Sequence, residues 1–100
     1  MPSPSRVRRV IHVLKSTYAQ PSDVVAQTRP AHLEFLNQEI AAGRLLLAGR
    51  QEDGSGGVLV TGDISTEEAD DIVARDPYTA AGVANYERTS FNTAVRAPGL

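Results

Sequence analysis

The sequence predicts a single α+β domain in which two helices cover one face of a four-stranded antiparallel sheet. Three observations carry this prediction. Apolar segments alternate in the order strand, helix, strand, strand, helix, strand; a Gly-rich interruption, Gln51–Gly57, separates the two middle strands; and Ser65-Thr66-Glu67-Glu68 matches the capping box S-x-x-E that opens a helix. One hundred residues give room for one domain. A chain this short buries about 60–65 % of its unfolded surface, so its core is thin and pairing with a second copy is a natural way to extend it.

Met1–Ser5 (MPSPS) is rich in Pro and Ser and reads as a disordered leader, so the expected organisation is a leader over 1–6, the domain over 7–96 and a tail over 97–100. Val7–Lys15 carries Val10, Ile11, Val13 and Leu14, apolar on both faces as in a strand covered on two sides. Ser16–Ser22 holds Pro21 among polar residues and reads as a loop. Thr28–Gly43 is expected to be a helix, with Pro30 in its first turn, where a missing N–H costs nothing, and Gly43 as its left-handed stop. Leu33, Leu36 and Ile40 recur at spacings of three and four and form its apolar stripe, with His32 at the edge. Leu45–Gly49 and Val58–Thr61 are short apolar strands that should pair as a hairpin. The helix opened by Ser65 buries Ala69, Ile72 and Val73 and ends at Asp76-Pro77, since a residue before proline avoids the α region. Tyr78–Gly82 is a short turn. In the last strand, Val83–Val95, Ala84, Tyr86, Arg88 and Ser90 alternate with Asn85, Glu87, Thr89 and Phe91. The order βαββαβ is that of a ferredoxin-like sandwich.

That topology places two distant residues together. With the first strand running up, its crossover helix starts at the top; the third strand runs down, and the second helix ends at the top. His32 and Asp76 therefore belong at the same end of the domain. A carboxylate beside an imidazole fixes the tautomer by accepting one ring N–H and raises the basicity of the other nitrogen, which suits proton abstraction near neutral pH. Each residue also has a plainer role: Asp76 is a good N-cap for the turn after Pro77, and His32 on a helix edge can simply be packed. Arg29 could orient an anionic substrate or pair with a carboxylate, and Tyr78 could position substrate. His12 alternates with Val10 and Leu14; facing the open side of the sheet it would line a cavity between two subunits, and otherwise it is a core or interface histidine.

Several function classes are excluded. A net charge of −2 and a pI near 5.6 give no overall basic field for nucleic acid, and the basic arm Arg6, Arg8, Arg9 reads as solvated. The absence of cysteine removes disulfides and thiol catalysis. His12 and His32 sit on different elements with neither HxH nor HxxxH spacing, so no metal site is expected. No G-x-S-x-G, Walker loop or G-x-G-x-x-G occurs, and the Gly54–Gly57 run is a hairpin tip without the Lys and helix that a phosphate loop needs. No apolar run approaches the roughly 20 residues of a membrane span, and the N-terminal arginines precede no signal-type apolar stretch, so a cytoplasmic protein is expected.

At Arg29-Pro30-Ala31-His32-Leu33 the chain resembles the YciI-like (YCII-related) family, whose first helix opens R-P-x-H-L. Gly43-Arg44-Leu45-Leu46-Leu47-Ala48-Gly49 is similar to the family's G-R-L-L-x-A-G, and Asp76-Pro77-Tyr78 with Ala81-Gly82-Val83 to its D-P-[FY]…A-G-[VL]. Three blocks in the right order reach from the first strand to Phe91. The resemblance implies a dimer in which two ferredoxin-like sheets pack face to face, and a His–Asp site carried here onto His32 and Asp76. One branch of the family performs dehydrohalogenation in aromatic degradation; fold relatives include muconolactone isomerases and antibiotic-biosynthesis monooxygenases. The chain departs from the pattern at Arg50, where the family often has Pro, in the acidic loop Gln51, Glu52, Asp53, and in its leader Met1–Val7.

Two functional classes follow. In the first, the protein is a cofactor-free lyase or isomerase of a small cyclic or carbonyl-bearing metabolite, aromatic-derived compounds included, with His32 as acid/base, Asp76 as its partner, and Arg29, Tyr78 or His12 touching substrate. In the second, it is a non-catalytic ligand-binding or accessory domain built on the same pocket. A third option, a cofactor-free monooxygenase, would lean on His12 and an aromatic wall, for which three Tyr, two Phe and no Trp offer little.

Overall fold

Eight consecutive residues of the first strand, Ile11–Tyr18 (β1), form the centre of the sheet, with neighbours on both sides. The structure is a computed structural model that describes residues 9–100; the leader expected over 1–6, and Val7 and Arg8 of the expected strand, lie outside them. The elements follow as α1 (Ser22–Ala41), β2 (Leu45–Arg50), β3 (Gly57–Thr61), α2 (Thr66–Arg75), α3 (Pro77–Ala80) and β4 (Ala84–Phe91). The strands lie in the order β2-β3-β1-β4, all antiparallel, giving the expected ferredoxin-like βαββαβ plan with one short helix added. No helix among the described residues is long and apolar enough to cross a membrane.

Two boundaries differ from expectation, and both affect the site. β1 runs on to Tyr18 instead of ending at Lys15. Thr17 is β-branched and Tyr18 aromatic, which suits a strand, and the backbones of Ser16, Thr17 and Tyr18 pair with Tyr86, Asn85 and Ala84 of β4. α1 starts at Ser22, after Pro21 and with Asp23 in its first turn, so Pro30 stands inside the helix. Pro30 cannot donate to the carbonyl of Ala26, a loss that water can make good because Ala26 is exposed. Tertiary packing of Val25 and the residues after it holds the helix through the proline.

The ends were more legible. Gly43 is left-handed at φ 79°, and the Gly43 and Arg44 amides reach back to Ile40 and Glu39 in a Schellman closure. The Ser65–Glu68 capping box makes both its hydrogen bonds, each of 3.1 Å. The expected turn after Asp76 is the four-residue helix α3, and β4 stops at Phe91, short of Val95.

The helix-facing side of the sheet holds the main core of Leu14, Leu36, Leu45, Leu59, Ile64 and Ile72, with Phe35 and Ala69. A second cluster of Val25, Tyr78, Val83 and Ala84 lies towards the start of α1. His32 stands in the sequence of α1 between the cluster of Val25 and that of Phe35. The stripe expected on α1 is only partly buried: Leu36 is inside, whereas Leu33 and Ile40 remain 49 % and 42 % exposed. The packed face instead runs through Val25, His32, Phe35, Leu36 and Glu39. Its two polar members are tolerated because each finds partners, Glu39 by taking Arg44 at 2.8 and 3.0 Å and Arg75 at 3.1 Å. These arginines hold the Glu39 carboxyl down at about 2.

Candidate functional site

Asp76 joins α2 to α3 and is completely buried. Its Oδ1 accepts the Tyr78 amide at 2.9 Å, so it is the N-cap expected from Asp-Pro. The same oxygen lies 2.7 Å from His32 Nδ1, which places His32 and Asp76 together as the topology argued. Oδ2 accepts the Tyr86 hydroxyl at 2.6 Å. A carboxylate is acceptor-only, so His32 must carry its proton on Nδ1, and in the neutral ring Nε2 is the lone-pair nitrogen. Nε2 has no bonding partner among the described residues. Tyr78 stacks flat on the His32 ring, centroids 3.8 Å apart and planes 7° from parallel, and Tyr18 meets Tyr78 edge-on at 6.0 Å. The imidazole is thus fixed in its plane and its tautomer.

The two phenols are kept neutral. Burial pushes Tyr86 far above an ordinary tyrosine, and donation to Asp76 adds to it. Burial also raises Tyr78, with the neighbouring Arg29 guanidinium pulling the other way. Tyr86 therefore acts as a hydrogen-bond donor to Asp76 throughout the neutral range.

His32 opens onto a cleft of about 220 Å³ between α1 and the sheet. This is below the roughly 300–1,000 Å³ of drug-sized sites, so the cleft suits a compact metabolite. One wall is apolar, from Leu33, Leu36 and Ile40 of α1; the aromatic side is Tyr18, Tyr78 and Tyr86. The floor is a row across the sheet. Ser16 pairs with Tyr86, Gly57 donates its amide to Ser16 Oγ at 2.8 Å, and Arg50 pairs with Gly57. The residue just before β3, Gly56, has no room for a side chain: a Cβ there would stand 1.8 Å from the Ser16 carbonyl oxygen.

Arg29, His32 and Tyr78 thus line one cleft, over the buried Asp76. His12 is not with them. Its side chain faces the helices and is fully buried, and its nitrogens lie 2.7 Å from Ser90 Oγ and 2.9 Å from the Ile64 carbonyl. The open-side position in which it would line a cavity is corrected to the core, because His12 shares the parity of Leu14, whose side chain is in the core cluster. Sequence reasoning missed Ser16, Tyr18, Asn37 and Tyr86 as cleft residues, and named Arg50 only as a departure from the family pattern. Tyr86 had a signal, its alternation with Ala84 and Arg88. Ser16 and Tyr18 fall in the stretch expected to be a loop, where no strand parity assigns a side chain to a face.

The YCII-related domain model matches residues 10–92. The chain belongs to the YCII-related family. No curated protein matches it. Among solved structures it is similar to the 5-chloro-2-hydroxyhydroquinone dehydrochlorinase of Burkholderia phenoliruptrix, solved in complex with 2,5-dihydroxybenzoquinone. The two share 20 % sequence identity at a TM-score of 0.69, over 82 % of this chain and 93 % of that one. At that identity the likeness establishes the fold. The position where this YCII-related chain carries Arg50 is the last residue of β2, at the rim of the cleft.

Proposed function

We propose that the protein is an enzyme that moves a proton on a small, ring-derived metabolite, with His32 as the acid/base and Asp76 as its orienting partner. The observation that carries this reading is the 2.7 Å contact of His32 Nδ1 with a buried carboxylate that two further donors also hold, which leaves Nε2 as the basic atom at a cleft. In this reading Nε2 takes a proton from an acidic carbon of the substrate. The C–H electron pair becomes the new double bond, and either a leaving group departs with its own pair or the proton returns at another carbon. Asp76 stabilises the imidazolium formed, and Tyr86 holds Asp76 in place. The dehydrochlorinase named above performs an elimination, which agrees with this class of reaction. Arg29 and Tyr78 are proposed to position substrate.

We also propose a homodimer built on the open face of the sheet. Leu47, Val60 and Val13 form an apolar row there, with Leu47 56 % and Phe91 46 % exposed. Lys15 and Glu87 are paired neighbours on this face, so a second copy turned about a two-fold axis would offer opposite charges to both.

The test is turnover by the full chain on halogenated hydroxyquinols, enol-lactones and enolisable keto acids, read by product formation and by deuterium uptake from solvent. His32→Ala should lower the rate on an active compound at least 10²-fold with circular dichroism unchanged. A rate that His32→Ala leaves intact would sink the proposal. Binding without turnover by the wild-type chain would support the accessory-domain reading instead.

A further inference from the structure

Arg29 and Arg50 come from different elements, the middle of α1 and the end of β2, yet both line the cleft beside His32. Both also line an adjoining groove, bounded by Gln20, Ser22, Gly54 and Ser55, that shares Tyr18 with the cleft. The two cavities therefore meet at the arginines. No Asp or Glu lines either cavity, and neither arginine makes an ion pair among the described residues, whereas Arg9, Arg44, Arg75, Arg88 and Arg96 each do. Two arginines lining a cleft with no carboxylate among its lining residues are an anion site in waiting.

The aim of Arg50 is itself built. The pairing of β2 with β3 shifts by one residue between Leu45 and Leu47. Before the bulge Leu45 points into the core, and after it Ala48, paired with the core residue Leu59, points the same way. Without that extra residue, strict alternation from Leu45 would turn Leu47 and Gly49 inward and Arg50 outward. The bulge puts the Arg50 side of the strand on the cleft. Gly57 opposite adds no side chain to obstruct it.

We infer that Arg29 and Arg50 clamp an anionic group of the substrate at the junction of the two cavities, so that the natural substrate is a small organic acid. Its ring or chain lies against Leu33, Leu36 and Ile40 under His32, and its carboxylate, or an equally acidic hydroxyl, is held by the arginines. This rests on the cleft being the reaction site proposed above. Arg50 is then a specificity-determining residue, and compounds that are neutral in the same position are discriminated against.

The experiment compares benzoate with its neutral isostere benzamide on the full chain, by calorimetry and by NMR shifts of the His32 ring and the arginine Nε–H groups. Benzoate is expected to bind about tenfold or more tightly than benzamide, with a preference that shrinks as sodium chloride rises from 50 to about 500 mM. Arg50→Gln should remove most of the preference without changing benzamide binding, and Arg50→Lys should retain part of it. His32→Gln should leave the preference in place. Equal binding of the two probes, no binding of benzoate, or a preference lost in His32→Gln but kept in Arg50→Gln overturns the clamp. Anion preference without His32-dependent turnover would instead refute the proton-transfer reading and keep the clamp; His32-dependent turnover of neutral compounds alone would do the reverse.

Discussion

Asp76 satisfies a helix start, an imidazole and a phenol with two oxygens, and is itself completely buried. An unpaired donor or acceptor at such a depth costs about 1–3 kcal/mol, so the residue's structural and proposed chemical roles can be separated by substitution. Asp76→Ala removes the cap and strands two donors; a loss of about 2–4 kcal/mol in urea unfolding is expected. Asp76→Asn keeps the shape and much of the cap but cannot act as a charged partner. It should stay folded while the turnover proposed for His32 falls by at least 10², which steady-state kinetics beside a melting curve would reveal. Tyr86 gives a pH signature. Its folded pKa lies above the ordinary 10.0, so the neutral phenol binds its proton more tightly in the native state than in the unfolded chain. Its share of stability is therefore complete below about pH 10 and declines as pH rises beyond it. Tyr86→Phe should show a shallower alkaline decline, measured by urea midpoints between about pH 9 and 11, and an unchanged slope would refute the assignment. Both His32 and Asp76 were legible in the sequence because a helix edge and an Asp-Pro step are local signals. Tyr18, which meets the edge of the Tyr78 ring stacked on His32, and Tyr86, which holds the carboxylate, carry no local signal, since Tyr18 falls in an expected loop and Tyr86 is an ordinary strand tyrosine until the sheet is assembled.

Glu39 ties α1 to the β2 end through Arg44 and to α2 through Arg75, whose guanidinium also stands 5.2 Å over the Phe35 ring. Its carboxyl is held at about 2 against an ordinary 4.5, first by the Arg44 hydrogen bonds and further by Arg75, with burial opposing. A depressed acid contributes stability that is full above about pH 4.5 and is lost as pH falls towards 2. Glu39→Gln is expected to cost on the order of 2 kcal/mol at pH 7 and to flatten the acid limb of stability between these values, as urea melts at stepped pH would test. The element scale is also where the sequence misled most. Pro30 looks like a helix start, and only the packing of Val25 against Tyr78, Val83 and Ala84 explains why the helix begins two turns earlier. The capping box and the Gly43 stop were read correctly, because both are closed by hydrogen bonds among near neighbours.

At the scale of the molecule, the helix layer is complete and the opposite face of the sheet is not. Val13, Val58 and Val60 are half-buried there, and Leu47 is largely open. If two such faces pair, a charge in the centre of the row should prevent it. Leu47→Asp is expected to convert a dimer to a folded monomer, seen by light scattering during gel filtration with circular dichroism as the control; a wild-type monomer at about 100 µM would refute the dimer proposal. Because His32 lies on the other side of the sheet, among the helices, that variant also tests whether the cleft functions in one subunit alone.

The order of elements, the capping box, the Gly43 stop, the hairpin and the joint position of His32 and Asp76 follow from the sequence by itself. Each rests on chain direction or on contacts between residues a few positions apart. What the cleft is made of was decided only by the tertiary structure. The β2 bulge reverses the parity that brings Arg50 round to His32, the extension of β1 delivers Ser16 and Tyr18, and the choice of packed face on α1 leaves Leu33 and Ile40 as a wall rather than core. The physical reason is common to all three. A strand's two faces and a helix's neighbouring stripes are nearly equivalent in local preference, and only the long-range pairing of the sheet, with the burial it enforces, selects between them.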